Sequence, residues 1–221
     1  MARPAATTAK KINVFLLRAA KWDAAGGGVV DGAGCEVSPS GMCVNCNTRV
    51  ESGMLEKSVT LIGMPGAGKS HIGKLLSEAL SLPLLDLDAI LIKTFEMKLQ
   101  TYIDTYGDEK FINEEDRITF KALADIPQSV ISPGGSIIYC ARTMQRLKEI
   151  SHIVYLDVPL HVILERIGRE PRGVVGAKSR PFNEIFAERT KLYAEAADLT
   201  LDGTLGEQSL VEIIARDIMV R

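Results

Sequence analysis

Two groups of residues in this chain have the types and spacing to do chemistry. The first is Gly63-Met64-Pro65-Gly66-Ala67-Gly68-Lys69-Ser70, which matches G-x-x-x-x-G-K-[ST] in full. Its glycines let backbone N–H groups converge on phosphate oxygens without Cβ clashes. Lys69 can reach β- and γ-phosphates, and the Ser70 hydroxyl can ligate Mg²⁺. Gly63, Gly66, Ala67, Gly68, Lys69, Ser70 and His71 are therefore expected to cradle a nucleotide. The second group is acidic and glycine-rich: Asp86-Leu87-Asp88 and Pro133-Gly134-Gly135-Ser136, each following a short apolar run; Asp157 ends a further such run and reads as structural. Paired acids after the buried-looking "LPLL" are uncommon as a merely polar strand end. The three histidines, 71, 152 and 161, stand on unrelated segments, which argues against a shared metal or triad role.

These residues need elements that bring them together. "SVTLIG" reads as a strand, and "KSHIGKLLSEALS" as a helix with Ile72, Leu75, Leu76, Ala79 and Leu80 at helical spacing. Pro83 ends that helix, and "LPLLDLD" follows as a short buried strand. Residues 89–126 read as helices. "QSVISPGG" and "HIVYLDVP" are the third and fourth strands, and "LHVILERIG" is a helix. Residues 168–181, rich in Gly, Pro, Arg and Lys, read as a mobile lid. The helix "FNEIFAERTKLYAEAA", the strand "DLTLDG" and the helix "SLVEIIARDIMV" close the chain. Short apolar strands alternating with helices predict an α/β, three-layer fold with a five-stranded parallel sheet. In such sheets ligands sit beyond the C-terminal strand ends, so the two groups should face one site.

Residues 58–221 form this predicted domain, and residues 1–57 read as a disordered extension. Residues 1–22 are basic and acid-free around a short apolar cluster, as in an organelle transit peptide or a weak signal, and "DAAGGGVVDGAG" is too glycine-rich to hold a helix. Cys43 and Cys46 have C-x-x-C spacing, but Cys35 is the only plausible third ligand and no nearby histidine completes a zinc set. The fourth cysteine is Cys140. This is not a disulfide-scaffold pattern, so a cytoplasmic protein is expected, with organelle targeting by residues 1–22 as the alternative. The formal charge of −2 gives no general pull toward nucleic acid or an anionic membrane, and no apolar run approaches the ~20 residues needed to span a bilayer. A monomer acting on a small molecule is the expectation.

A phosphate cradle alone does not separate switches, motors and kinases. A GTPase would carry an N-K-x-D-type motif, which the chain lacks, and a motor ATPase usually has a strand ending in Asp-Glu. Beyond the cradle, the order of motifs resembles the shikimate kinase family over residues 58–221. Asp86-Leu87-Asp88 stands at the family's D-x-D, and Gly107–Glu115, "GDEKFINEE", stands where G-E-x-x-F-R-x-x-E belongs. Gly134-Gly135-Ser136 stands for its triple glycine, and an arginine-bearing lid and R-x-x-x-Y follow. The resemblance implies an ATP-dependent, Mg²⁺-requiring kinase of aromatic amino acid biosynthesis. It implies that Asp86 and Ser70 help hold Mg²⁺ and that Asp88 binds the acceptor hydroxyl and takes its proton. Gly134, Gly135 and Ser136 would approach the acceptor. Arg166 would stack on adenine, Arg172 would close over the transferring phosphate, and Arg189 would grip the acceptor carboxylate. The weaker alternative for Arg166 and Arg189 is a solvated helix charge.

The departures fall on the acceptor side. Ile112 occupies the place of a family arginine that pairs with Arg189 on the carboxylate, and isoleucine cannot make a charge-assisted clamp. Arg117, five residues on, is displaced about 140° around a helix axis. Pro133 replaces a threonine, Ser136 replaces the third glycine, and the lid reads "RGVVG". Losing one charged contact costs about 2–3 kcal/mol, roughly 30–150-fold in affinity. The expected activity is phosphorylation of shikimate or a related hydroxy acid. The alternatives are a nucleoside monophosphate or gluconate-type kinase, and a degenerate nucleotide-binding module.

Overall fold

The computed structural model describes residues 57–168 and 174–220, together with the backbone of Val29–Val30 and Glu36–Val37. The chain divides into two units, Met1–Met54 and Leu55–Arg221. In the first, strands β1 (Val29–Val30) and β2 (Glu36–Val37) pair antiparallel with Val29 opposite Val37. No element was expected there. The targeting reading of residues 1–22 and the Cys35/Cys43/Cys46 reading lie outside the described residues.

The second unit is built on five parallel strands: β3 (Ser58–Ile62), β4 (Leu84–Asp86), β5 (Val130–Ser132), β6 (Ser151–Asp157) and β7 (Leu199–Asp202). Their spatial order is β4-β5-β3-β6-β7. Central β3 is buried along its whole length, as expected of a strand covered on both faces. It pairs with β5 from Val59 opposite Val130, and with β6 from Ser58 opposite Ser151. The connections leaving β3 and β5 run to opposite sides of the sheet, so a crevice opens between their C-terminal ends.

Eight helices accompany these strands among the described residues: α1 (Lys69–Leu80), α2 (Leu87–Phe95), α3 (Leu99–Tyr106), α4 (Asp108–Ala122), α5 (Ala141–Ile150), α6 (Leu160–Ile167), α7 (Phe182–Ala196) and α8 (Glu207–Val220). α1 buries Ile72 and Leu76, from the predicted apolar stripe, in the main core beside Leu61, Ile131, Val154 and Leu156. α2, α3 and α4 add a smaller cluster of Leu91, Tyr102, Ile103, Phe111, Ile118 and Val175. The stretch 89–126, read as helices, is three helices broken at Glu96 and Gly107, both with positive φ.

α5 shows how the two helical regions are joined. Its N-cap, Cys140, makes no side-chain cap bond, so the orphan amides of the first turn look elsewhere. Asp116 of α4 accepts from the Thr143 N–H at 2.9 Å and from the Thr143 hydroxyl at 2.8 Å. The helix that leaves the glycine turn is thus capped by the helix that carries Glu115.

Candidate active site

Gly68 is the N-cap of α1 and sits at φ 93°, a left-handed conformation that a Cβ would penalise. The turn it makes points the first amides of α1 at the crevice. Ala67 is buried, and its N–H donates to the Met64 carbonyl at 3.0 Å, so its donor closes the loop's own turn rather than facing a ligand. Lys69 curls over the loop and donates to the Gly63 and Met64 carbonyls at 2.9 and 3.1 Å. Burial pulls its pKa down to about 8, with Asp88 pulling it back up and Arg189 adding to the fall. Ser70 is exposed, with its hydroxyl 3.4 Å from that of Ser132 at the end of β5.

A cleft of about 350 Å³ lies over this loop, lined by Lys69, Ser70, His71, Asp88, Gly134 and Arg166 among others. Four strand ends were expected to converge here, and those of β3, β4 and β5 do. Asp157, at the end of β6 and expected to be structural, accepts the Tyr155 hydroxyl at 2.9 Å. The two acids of "DLD" divide. Asp86 ends β4 and caps α2, its Oδ1 accepting from the Ala89 N–H at 3.1 Å. Asp88 was read as a strand-end residue but lies in the first turn of α2, because that cap starts the helix at once. Burial raises the Asp88 pKa, opposed by the charge of Lys69.

The glycine turn after β5 becomes a short 3-10 helix, Gly135–Tyr139. A Cβ on Gly134 would stand 2.5 Å from Asp88 Oδ1, and one on Gly135 would stand 2.6 Å from Cδ of Pro65 in the phosphate loop. Close approach of backbone to both groups is therefore what these two positions supply. Ser136 is buried and lines the cleft.

Arg189 is fully buried, so it is no solvated helix charge. Its Nη2 donates to the Val175 carbonyl at 3.0 Å, and its Nε lies 3.4 Å from the Tyr139 hydroxyl. Its guanidinium stands over the Tyr139 ring at 5.1 Å, with Nη1 3.3 Å from where a Gly135 Cβ would be. Arg166, by contrast, is exposed on the cleft rim, with Nη1 3.4 Å from the Gly66 carbonyl. His71 lines the cleft and pairs with Glu207 of α8 at 2.8 Å. Arg172 lies outside the described residues. Of the expected lid, Gly168 and residues 174–181 are described. Val174 and Val175 are buried, and Asp108 accepts from the Gly176 N–H at 3.1 Å.

Glu115 has no role assigned from the sequence; it is 1% exposed and lies behind Gly134, which lines the cleft. Its Oε1 lies 3.3 Å from the position of a Gly134 Cβ. Burial raises its pKa to about 7; Ser136 opposes the rise and the Asp88 charge adds to it. Its signal was legible: it falls four residues after Phe111 and three before Ile118, so it shares the buried stripe of α4.

The Shikimate kinase family model matches residues 65–219. The chain belongs to the shikimate kinase family. Its curated relatives include shikimate kinases of Persephonella marina, 30% identical over 72% of this chain and 98% of the relative, and of Enterococcus faecalis, 31% identical over 67% and 89%. Among solved structures it resembles the Aquifex aeolicus shikimate kinase, with a TM-score of 0.60 and 29% identity over 73% of this chain and 95% of that one. The fold also matches the Acinetobacter baumannii shikimate kinase in complex with shikimate, with a TM-score of 0.65 and 24% identity over 74% and 93%. Members of the shikimate kinase family are ATP-dependent kinases using Mg²⁺, so this chain is a phosphotransferase acting on a small hydroxylated acceptor. Among the described residues no helix is long and apolar enough to cross a membrane.

Proposed function

We propose that the chain transfers the γ-phosphoryl group of ATP to a hydroxyl of shikimate or a close hydroxylated relative. The observation that carries this reading is the meeting of Lys69 of the phosphate loop with Asp88 across one cleft, each acting on the other's proton affinity. The loop from Gly63 to Ser70, with His71, holds the phosphates, and Arg166 on the rim covers the base. Ala67 serves the loop's shape.

The oxygen donors of Ser70 and Asp86 suit a hard cation that takes its remaining ligands from phosphate and water. Mg²⁺, when bound, supplies charge neutralisation on the phosphate oxygens.

Asp88 accepts the proton of the attacking hydroxyl, a role that its raised pKa favours. The acceptor oxygen bonds to phosphorus, the bond to the bridging β,γ-oxygen breaks, and ADP leaves with that electron pair. Lys69 and Arg172 stabilise the charge on the transferring group. Gly134, Gly135 and Ser136 form the acceptor wall, and Arg189 faces the acceptor from behind Gly135.

ADP release with ATP and Mg²⁺ is measured against shikimate, gluconate and nucleoside monophosphates. Stimulation by shikimate supports the assignment; stimulation by none of the acceptors indicates a binding module. Lys69→Ala is expected to lower turnover by at least about 100-fold, and unchanged turnover would sink the mechanism.

A further inference from the structure

The acceptor end of the cleft has more anionic character than a site for a carboxylated ligand would need. Among the described residues, neither oxygen of Glu115 has a well-formed hydrogen bond, its neighbouring donors being the Ser136 hydroxyl and the Cys140 thiol, and Asp88 Oδ1 has no partner. Glu115 is 1% exposed, so water does not satisfy it freely. Buried carboxylate oxygens without donors are costly, and such groups persist where a ligand completes them. Both carboxylates converge on Gly134, with Asp88 Oδ1 2.5 Å and Glu115 Oε1 3.3 Å from the same point. The two oxygens are therefore at most about 6 Å apart, a gap that two adjacent hydroxyls can bridge with ordinary hydrogen bonds.

The cations that would balance them are missing or engaged. Position 112, one turn before Glu115 on the same helix face, would carry an i,i+3 partner. It is Ile112, partly buried against both apolar clusters. Arg117 is turned outward and pairs with Glu114 at 2.6 Å. Arg189 already gives Nη2 to Val175 and Nε to Tyr139. Lys69, the cation beside Asp88, is held by the Gly63 and Met64 carbonyls of the phosphate loop, which leaves one partly committed guanidinium to balance the two carboxylates from the acceptor side.

Building on the assignment above, we infer that the acceptor is read by a vicinal pair of hydroxyls bridging Asp88 and Glu115, and that its carboxylate is not required. Uncharged polyols of the same shape are then substrates alongside hydroxy acids. A site that recognises hydroxyls discriminates through donors that would leave its own buried oxygens unpaired, which is a strong filter. It discriminates through charge only if a fork of arginines is present.

The test compares shikimate with its uncharged methyl ester on the full-length protein. It uses kcat/KM from ADP release and Kd from calorimetry with ADP and Mg²⁺ present. The expected result is parity within tenfold in both measures; a preference for shikimate above tenfold overturns the inference. Ile112→Arg restores a cation beside Glu115 and should raise the shikimate-to-ester ratio at least tenfold. An unchanged ratio in a folded variant overturns it. Glu115→Gln, nearly isosteric, should weaken both acceptors by a similar factor of about ten; leaving the ester unaffected overturns the role of Glu115. Failure of both acceptors to turn over, with binding intact, overturns the proposed function, while the ratio of the two Kd values still decides this inference. Absence of binding by either overturns both.

Discussion

Glu115 carries a consequence at the scale of one residue. Its folded-state pKa of about 7 stands above the ordinary 4.5, chiefly through burial. Between those values the native protein holds a proton that the unfolded chain has lost. Stability therefore falls as pH rises from about 4.5 to about 7 and stays lower above that, by about 3 kcal/mol. Asp88, raised for the same reason, adds a slope of the same sign. Urea unfolding of the ligand-free protein at pH 5 and pH 8 should show this loss, and Glu115→Gln should remove most of it. Asp88→Asn, in contrast, should act on chemistry. Removing the proton acceptor is expected to lower kcat by at least about 100-fold, with a smaller change in the KM for ATP, read by steady-state kinetics.

At the scale of elements, the phosphate loop and the turn after β5 are one mechanical unit, because Pro65 rests on Gly135. A methyl group at 135 would meet Pro65 Cδ at 2.6 Å and must push the loop away. Gly135→Ala is expected to lower kcat/KM for ATP by roughly 5- to 150-fold, the kinetic equivalent of about 1–3 kcal/mol of overpacking. Tyr193 ties the same turn to α7 by donating to the Gly135 carbonyl at 2.5 Å. The cap that Asp116 provides to α5 is structural. Asp116→Ala should cost about 1–2 kcal/mol in denaturant unfolding while leaving the acceptor ratios intact.

At the scale of the whole molecule, the family model matches residues 65–219, which lie within the second unit. The Persephonella marina shikimate kinase is matched over 98% of its length by 162 residues of this chain. A chain beginning at Leu55 is expected to fold, and its kcat with ATP and the preferred acceptor should lie within about twofold of the full-length value. A larger loss would assign residues 1–54 a part in turnover. The sheet order β4-β5-β3-β6-β7 gathers the loop after β3, the caps after β4 and the turn after β5 at one crevice. No local signal specifies that order.

The sequence by itself determined the phosphate loop, the alternation of strands and helices, and the family. These are local: glycine positions, apolar periods and motif spacing act within a few residues. Only the tertiary structure decided which charges matter. Arg166 and Arg189 are equivalent as text, yet one is exposed on the rim and the other fully buried behind Gly135. Glu115 is one of several acids on α4, yet it is the one turned inward with its oxygens short of donors, while Glu114 pairs with Arg117 outside. Burial and pairing depend on what other segments bring to the same place. The loss of an arginine at 112 was readable in the sequence, but the carboxylate it leaves unbalanced was visible only once α4 was packed against Gly134.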